Sequence, residues 1–191
     1  MVEKLSRHIA LWLIKSGILE NNDIDLYIYA IQYLLLIINP TIIFTAYCIA
    51  THDITIGLIE VFSFLLIRKY CGGYHAKKLS ICMIISTILL TAMIKLSICD
   101  IKPLYMYIAT CIAIIELCLV SPIQSDNKVL NEKEIRHYKK IAVMQLAVYS
   151  IVIICTSILG CFTAARCICF GIILASFMQL PCIVTKRTSI R

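Results

Sequence analysis

A short amphipathic segment and six apolar runs follow one another along this chain. In residues 1–20, Leu5, Ile9 and Trp12 recur at helical spacing between basic residues, which predicts an amphipathic helix at the membrane interface. The apolar runs cover approximately 26–50, 54–70, 79–98, 104–120, 141–161 and 164–184. Runs of about 20 apolar residues can cross a bilayer as helices. The pattern predicts an all-α membrane protein of about six transmembrane helices in a single integral membrane domain, 1–191.

Whether the run 54–70 crosses the membrane is open, because it is short and contains Glu60. The distribution of charge favours a crossing. With six spans, the N-terminus, the loop 68–78, the loop 121–140 and the C-terminal tail share one side. That side then holds every Lys and Arg except Lys95, Lys102 and Arg166. The positive-inside rule makes it cytoplasmic, so we expect a multi-pass protein of the cell membrane with both termini inside.

Composition supports the membrane assignment and narrows the partners. Of the 191 residues, 61% are hydrophobic and 15% charged, unlike an ordinary soluble domain. The net charge of +7 follows from the charge asymmetry and from contact with anionic lipid, so we expect a lipid bilayer as partner and no nucleic acid. Most of the 11 cysteines lie in apolar runs, where Cys behaves as a small hydrophobe. No spacing indicates a zinc framework, and we expect no metal or other cofactor.

The polar stretch 68–82, RKYCGGYHAKKLSIC, holds the candidate chemistry. Gly72 and Gly73 allow backbone conformations that side chains exclude, and His75 with Cys82 can form a base and nucleophile pair. On one continuous helix these two side chains would lie about 10 Å apart. We therefore expect His75 to precede the helix, on a segment that the two glycines fold back. Spacing alone does not establish this pair. It favours the alternative that His75 is a polar residue at the membrane boundary and Cys82 a packing residue.

The surroundings of Cys82 favour its ionised form. Four cations flank the stretch: Arg68, Lys69, Lys77 and Lys78. Cys82 also falls at the predicted start of a helix, where the helix dipole stabilises a thiolate. A nucleophilic thiol is thus compatible with the local sequence.

The combination of this stretch with the hydropathy pattern resembles the accessory gene regulator B (AgrB) family of membrane cysteine endopeptidases in Gram-positive quorum sensing. The shared positions in the stretch are Arg68, Gly72, Gly73, His75, Ala76 and Cys82. Later in the chain they are Pro122, Asn127, Lys128 and Leu130, followed by a basic cluster that ends in Lys139 and Lys140. The resemblance covers nearly the whole chain.

The resemblance implies specific roles for these residues. His75 and Cys82 match the family's catalytic dyad, and Arg68, Gly72 and Gly73 match supporting positions. The substrate is implied to be an AgrD-like precursor peptide with an acidic C-terminal tail, which Lys128, Lys139 and Lys140 would bind. Cys82 would release the tail through an acyl-thioester, and ring closure would give a thiolactone or lactone autoinducing peptide. A homodimer is compatible with the family.

Two other interpretations remain at the level of sequence. Buried charges and the helix break at Pro40 fit a membrane transporter or export scaffold for a peptide. Three candidate ligands, Cys71, His75 and Cys82, fit a metal site less well, because a closed zinc site takes four. Separately, Lys95 could pair with Glu60 or Glu116 within the membrane, or extend to the interface.

Overall fold

Helices make up the regular structure throughout the described part of the chain. The structure is a computed structural model that describes residues 2–18, 23–73, 79–99, 101–123 and 131–182, and these ranges contain no strand. The helices are α1 (Val2–Lys15), α2 (Ile24–Ala50), α3 (Ile54–Cys71), α4 (Leu79–Ile98), α5 (Pro103–Val120), α6 (Glu132–Ile158) and α7 (Phe162–Phe177). The predicted all-α fold class is confirmed.

Five helical segments of the described ranges are long and apolar enough to cross a membrane: α2, α4, α5, α6 and the segment Phe162–Cys182, which contains α7. This fits a multi-pass membrane protein. Helix α3 is as long as α5, at 18 residues, but it carries Glu60, Arg68 and Lys69. The count of about six spans is therefore approximate, and the crossing of α3 stays a prediction. Helix α1 packs on α2 and leaves Leu5 and Trp12 exposed, as an interfacial helix would.

The helices after α2 alternate in direction, as contacts at the two ends of the bundle show. At one end, the Ile123 N–H and the Gln179 side chain both donate to the Cys71 carbonyl, and the Tyr70 and Tyr138 rings lie 6.0 Å apart. Here α3, α5 and α7 finish and α6 begins. We call this the glycine end, after Gly72 and Gly73, which follow α3.

Complementary contacts define the opposite end. Ser97, near the end of α4, donates to Glu60 Oε2 at 2.8 Å. The Tyr107 and Ser157 hydroxyls of α5 and α6 lie 2.8 Å apart. Helices α3, α5 and α7 therefore run antiparallel to α4 and α6, so α3 extends alongside the predicted spans.

Helix α7 forms the interior of the bundle, in contact with α3, α4, α5 and α6. Its approach to α3 is close: a Cβ on Gly171 would lie 2.9 Å from Ser63 Cβ and 3.2 Å from the Glu60 carbonyl oxygen. Small residues at such a crossing allow two backbones to pack tightly within a membrane. The face of α3 that packs on neighbouring helices buries Glu60 and Ser63, so it tolerates polar residues that a lipid-facing surface would not.

The suggested pairing of Lys95 with Glu60 or Glu116 is wrong. Glu60 is fully buried and receives the Ser97 hydroxyl, whereas Lys95 is exposed on α4. Glu116 of α5 faces Ser176 of α7. Lys95 lies two residues before Ser97, so its side chain points away from the interior that Ser97 enters.

The predicted loop 121–140 is also corrected, because α6 begins at Glu132. A capping box starts the helix: the Asn131 N–H donates to Glu134 Oε2 at 2.9 Å, and the Asn131 side chain accepts from the backbone N–H of Glu134. Glu, Lys and Arg are good helix formers, so the helix starts before the apolar run. Hydropathy identified only the apolar part of α6.

Candidate functional site

Six of the predicted site residues lie in the described ranges: Arg68, Gly72, Gly73, Cys82, Lys139 and Lys140. His75 and Lys128 lie outside them. The six are distributed over the end of α3, the start of α4 and the start of α6, all at the glycine end. The fold thus brings together segments that are far apart in sequence.

Cys82 lies in the first turn of α4 and is 4% exposed. Arg68, in the last turn of α3, is half-buried, with its Cζ 5.6 Å from the centroid of the Phe64 ring. Its guanidinium lies within electrostatic range of Cys82, and also of Tyr33 and Cys182. The arrangement brings a buried thiol, a guanidinium and a helix N-terminus together at the glycine end.

The turn after α3 requires glycine for two reasons. Gly72 has φ +74°, and a Cβ there would lie 2.5 Å from the Ile123 carbonyl oxygen. Gly73 has φ +153°, with its Cβ position 3.4 Å from the Met178 carbonyl oxygen. Residues other than glycine rarely adopt these conformations, and at position 72 the neighbouring backbone also fills the space. The predicted importance of the two glycines thus has a steric basis here.

A hydrogen-bond network holds this turn. The carbonyl of Cys71 has no intrahelical donor because it ends α3. It accepts from the Ile123 N–H at 3.0 Å and from Gln179 Nε2 at 2.8 Å. Gln179 Nε2 also donates to Ser121 Oγ at 2.9 Å. The turn is therefore fixed to the segment after α5 and to the residues that follow α7.

Sequence reasoning missed Gln179. No motif includes it, and its partners lie 58 and 108 residues away. The available signal was a polar amide inside the apolar run 164–184, since polar residues within membrane segments are usually functional.

Exposed basic residues at the start of α6 form a second part of the site. Lys133, Arg136, Lys139 and Lys140 are all exposed, and we call them the basic face. Lys139 lies within electrostatic range of Cys118, near the end of α5. Arg136 makes a 3.7 Å ion pair with Glu132, which contributes little at such exposure. The basic face is suited to attracting an acidic ligand.

The described cysteines are not joined to one another by disulfide bonds. Cys71, close to the proposed nucleophile in sequence, is 1% exposed, and its carbonyl is committed to holding the turn. Within the described ranges, no three His, Cys, Asp or Glu side chains group as metal ligands would.

Comparison with known proteins gives one family. The family model described as AgrB, accessory gene regulator B, matches residues 6–179. No curated protein and no solved structure matches the chain. The matched range includes α2 to α7 and every predicted site residue.

Proposed function

Since this chain belongs to the accessory gene regulator B family, we propose that it is a membrane-embedded cysteine endopeptidase. Its substrate is an AgrD-like precursor peptide, from which it removes the C-terminal tail. It then promotes thiolactone or lactone closure of an autoinducing peptide. Family membership is consistent with a role in the Agr quorum-sensing system, and the family is associated with the AgrD precursor.

The observation that carries the proposal is the position of Cys82. The thiol lies in the first turn of α4, in electrostatic range of Arg68. Among the described thiols, that of Cys82 combines burial with a helix N-terminus and a nearby guanidinium. The guanidinium and the helix N-terminus suit the thiol to act as a nucleophile, and its burial limits competing water.

The reaction has two steps. The Cys82 thiolate attacks the carbonyl carbon that joins the signal segment to the tail. The C–N bond breaks, and His75, as imidazolium, gives its proton to the departing amine. An acyl-thioester on Cys82 remains.

In the second step, a Cys or Ser side chain of the signal segment attacks that thioester. His75 takes its proton, and Cys82 leaves as thiolate. A Cys nucleophile exchanges one thioester for another, so this step is nearly neutral in energy and competes with hydrolysis. The burial of Cys82 favours ring closure over hydrolysis.

The basic face supports recognition of the acidic tail. Its cations lie at the same end of the bundle as Cys82, so a peptide tail held there places the preceding bond near the thiol. Lys128 belongs to the same proposed binding region by sequence. Positive-inside topology also accounts for these charges, which is why the recognition role needs a direct measurement.

The test is reconstitution in liposomes with the amphipathic, acid-tailed peptide encoded beside this protein. Peptide and protein masses are followed for wild type, Cys82→Ala and His75→Ala. We expect tail release and a Cys82 acyl adduct with wild type, and neither product with the two variants. Cys71→Ala is the matched control, because it removes a buried thiol from the same region while keeping the backbone carbonyl.

Equal cleavage by wild type, Cys82→Ala and His75→Ala would overturn the proposal. So would movement of an uncleaved peptide across the bilayer by all three proteins, which would establish the transporter instead.

A further inference from the structure

We infer that the cavity between the starts of α5 and α7 binds one anionic phospholipid, with its phosphate at Arg166 and an acyl chain against the apolar wall. The cavity lies at the end of the bundle opposite the glycine end. None of the described candidate site residues lines it. The inference is therefore independent of the proposed cleavage by Cys82 and of the basic face.

The cavity has a volume of about 190 Å³ and lies between two helices. Its lining residues are Pro103, Met106 and Tyr107 of α5, and Phe162 and Arg166 of α7. Pro103 and Phe162 are the first residues of their helices and are exposed, whereas Met106 is buried. The cavity thus opens at the surface of the bundle and extends towards its interior. A cavity of about 150 Å³ takes a molecule the size of benzene, so this one can hold part of a lipid.

The wall of the cavity is mostly apolar. Met106 contributes a thioether chain, and Tyr107 and Phe162 contribute aromatic rings. The Tyr107 hydroxyl lies 2.8 Å from Ser157 Oγ of α6, so the ring is held in place from a third helix. Beside the cavity, Tyr105 is 63% exposed. Aromatic side chains at the ends of membrane spans lie at the level of the lipid headgroups, so an acyl chain would meet apolar surface both inside the cavity and next to it.

Arg166 brings a positive charge to this apolar wall. Its guanidinium stays protonated in proteins, and Nη1 donates to the Cys99 carbonyl at 3.3 Å, which holds the side chain beside the end of α4. Lys102 is exposed at the N-cap of α5 and adds a second cation next to Pro103. A planar guanidinium can bind two phosphate oxygens at once, so it suits a phosphate better than a point charge does.

Charge and hydropathy together select the occupant. A zwitterionic lipid carries a cation of its own, which Arg166 and Lys102 would repel. A small soluble anion would bind the cations and leave the apolar wall uncovered. An anionic phospholipid places its phosphate at the guanidinium and an acyl chain on the wall. Basic pockets between membrane helices bind anionic headgroups in this way.

Photo-crosslinking tests the site. The protein is reconstituted in phosphatidylcholine liposomes with a trace of phosphatidylglycerol that carries a diazirine near the start of one acyl chain, and mass spectrometry locates the labelled residues. Wild type, Arg166→Gln, Arg166→Lys and Phe162→Ala are compared. Lys140→Gln is the matched control, because it removes an exposed cation at the glycine end. Asp53 and Asp100, the latter outside the described residues, are kept in every variant.

We expect wild-type labelling to concentrate in the first turns of α5 and α7, and unlabelled phosphatidylglycerol to displace the probe. Arg166→Gln should lower labelling there about fivefold, since one cation near the membrane surface changes the affinity for anionic lipid by about that factor. Arg166→Lys should retain most of it, and Lys140→Gln should match wild type. Phe162→Ala should also lower labelling. Because Phe162 is 55% exposed, this variant tests the site even if Arg166→Gln does not fold.

Three results would overturn the inference. The first is labelling spread evenly over the lipid-facing surface, and the second is equal labelling of wild type and folded Arg166→Gln or Phe162→Ala. The third is displacement of the probe by inorganic phosphate at matched ionic strength, which would assign the cavity to a soluble anion. None of these measurements uses peptide cleavage, so each outcome leaves the proposed function to its own test.

Discussion

Arg68 and Cys82 bring a cation and a buried thiol into electrostatic range of each other. A thiolate is unfavourable in an apolar medium unless a positive charge lies nearby. Arg68 lies in the last turn of α3, with its Cζ 5.6 Å from the centroid of the Phe64 ring. The sequence could not show this proximity, because the spacing of Arg68 and Cys82 along the chain does not give the distance between them in the fold.

We expect Arg68→Gln to reduce alkylation of Cys82 at neutral pH, because the substitution removes the positive charge that lies within electrostatic range of the thiol. Arg68→Lys should retain part of the effect. Residue-resolved alkylation measures the loss. Lys95→Gln, on the same helix as Cys82 but at the opposite end, is the control. Equal rates for Arg68→Gln and wild type would contradict the electrostatic role.

Gly72 and Gly160 both have a positive φ, but neighbouring backbone fills the space that a side chain would need at Gly72 and not at Gly160. Gly72→Ala puts an alanine at φ +74° and ψ −161°, a backbone conformation that is essentially confined to glycine and costs about 1–3 kcal/mol, and it creates a clash with the Ile123 carbonyl oxygen. Gly160 has a similar φ of +77° with open space around it, so Gly160→Ala introduces an alanine at positive φ without a steric clash. Thermal unfolding in detergent should give a lower midpoint for Gly72→Ala than for Gly160→Ala. Equal unfolding midpoints for the two variants would show that the turn at Gly72 can accommodate a methyl group.

At the scale of elements, α3 explains why hydropathy was an incomplete guide. Its interior position beside α7 allows Glu60 and Arg68, which lowered its apolar character in the sequence. Helix positions followed well from the apolar runs, whereas the start of α6 did not, because its first turns are polar. Partners such as Ser97 for Glu60, and Gln179 for Cys71, depend on tertiary packing that spacing does not encode.

The bond from Ser97 to Glu60 should stabilise the packing of α4 on α3. Hydrogen bonds between membrane helices contribute about 0.6 kcal/mol on average and at most about 1.7 kcal/mol. We expect Ser97→Ala to lower the unfolding free energy by an amount in that range, and the loss to disappear in a Glu60→Leu background. Ser150→Ala is the control, because Ser150 donates to the Leu146 carbonyl of its own helix. A loss that persists in the Glu60→Leu background would assign the effect to Ser97 alone.

The basic face of α6 leads to a prediction about the KM for the peptide. Reversing both charges, Lys139→Glu with Lys140→Glu, should raise KM for the acid-tailed peptide at least about tenfold, with kcat little changed. Added salt should shrink the difference, because these lysines are exposed and screened. Lys102→Glu, at the opposite end, is the control. A fall in kcat at constant KM would instead place these lysines in the chemical step.

At the scale of the whole molecule, the alternating helices place the described candidate site residues at one end. The positive-inside rule makes that end cytoplasmic, which remains a prediction of the sequence. Cys161, in the turn between α6 and α7, is exposed and lies at the opposite end. A membrane-impermeant maleimide should therefore label Cys161 in intact cells, as located by mass spectrometry. Labelling confined to inverted vesicles would reverse the orientation.

The dependence of the Cys71 turn on Gln179 also has a consequence for biosynthesis. Chains enter the membrane from the N-terminus onwards, so α3 and the turn after it are synthesised long before Gln179. Until the last helix has packed against α3, the carbonyl that ends α3 lacks the hydrogen bond from Gln179. The turn after α3 is therefore completed only when the final helix has inserted.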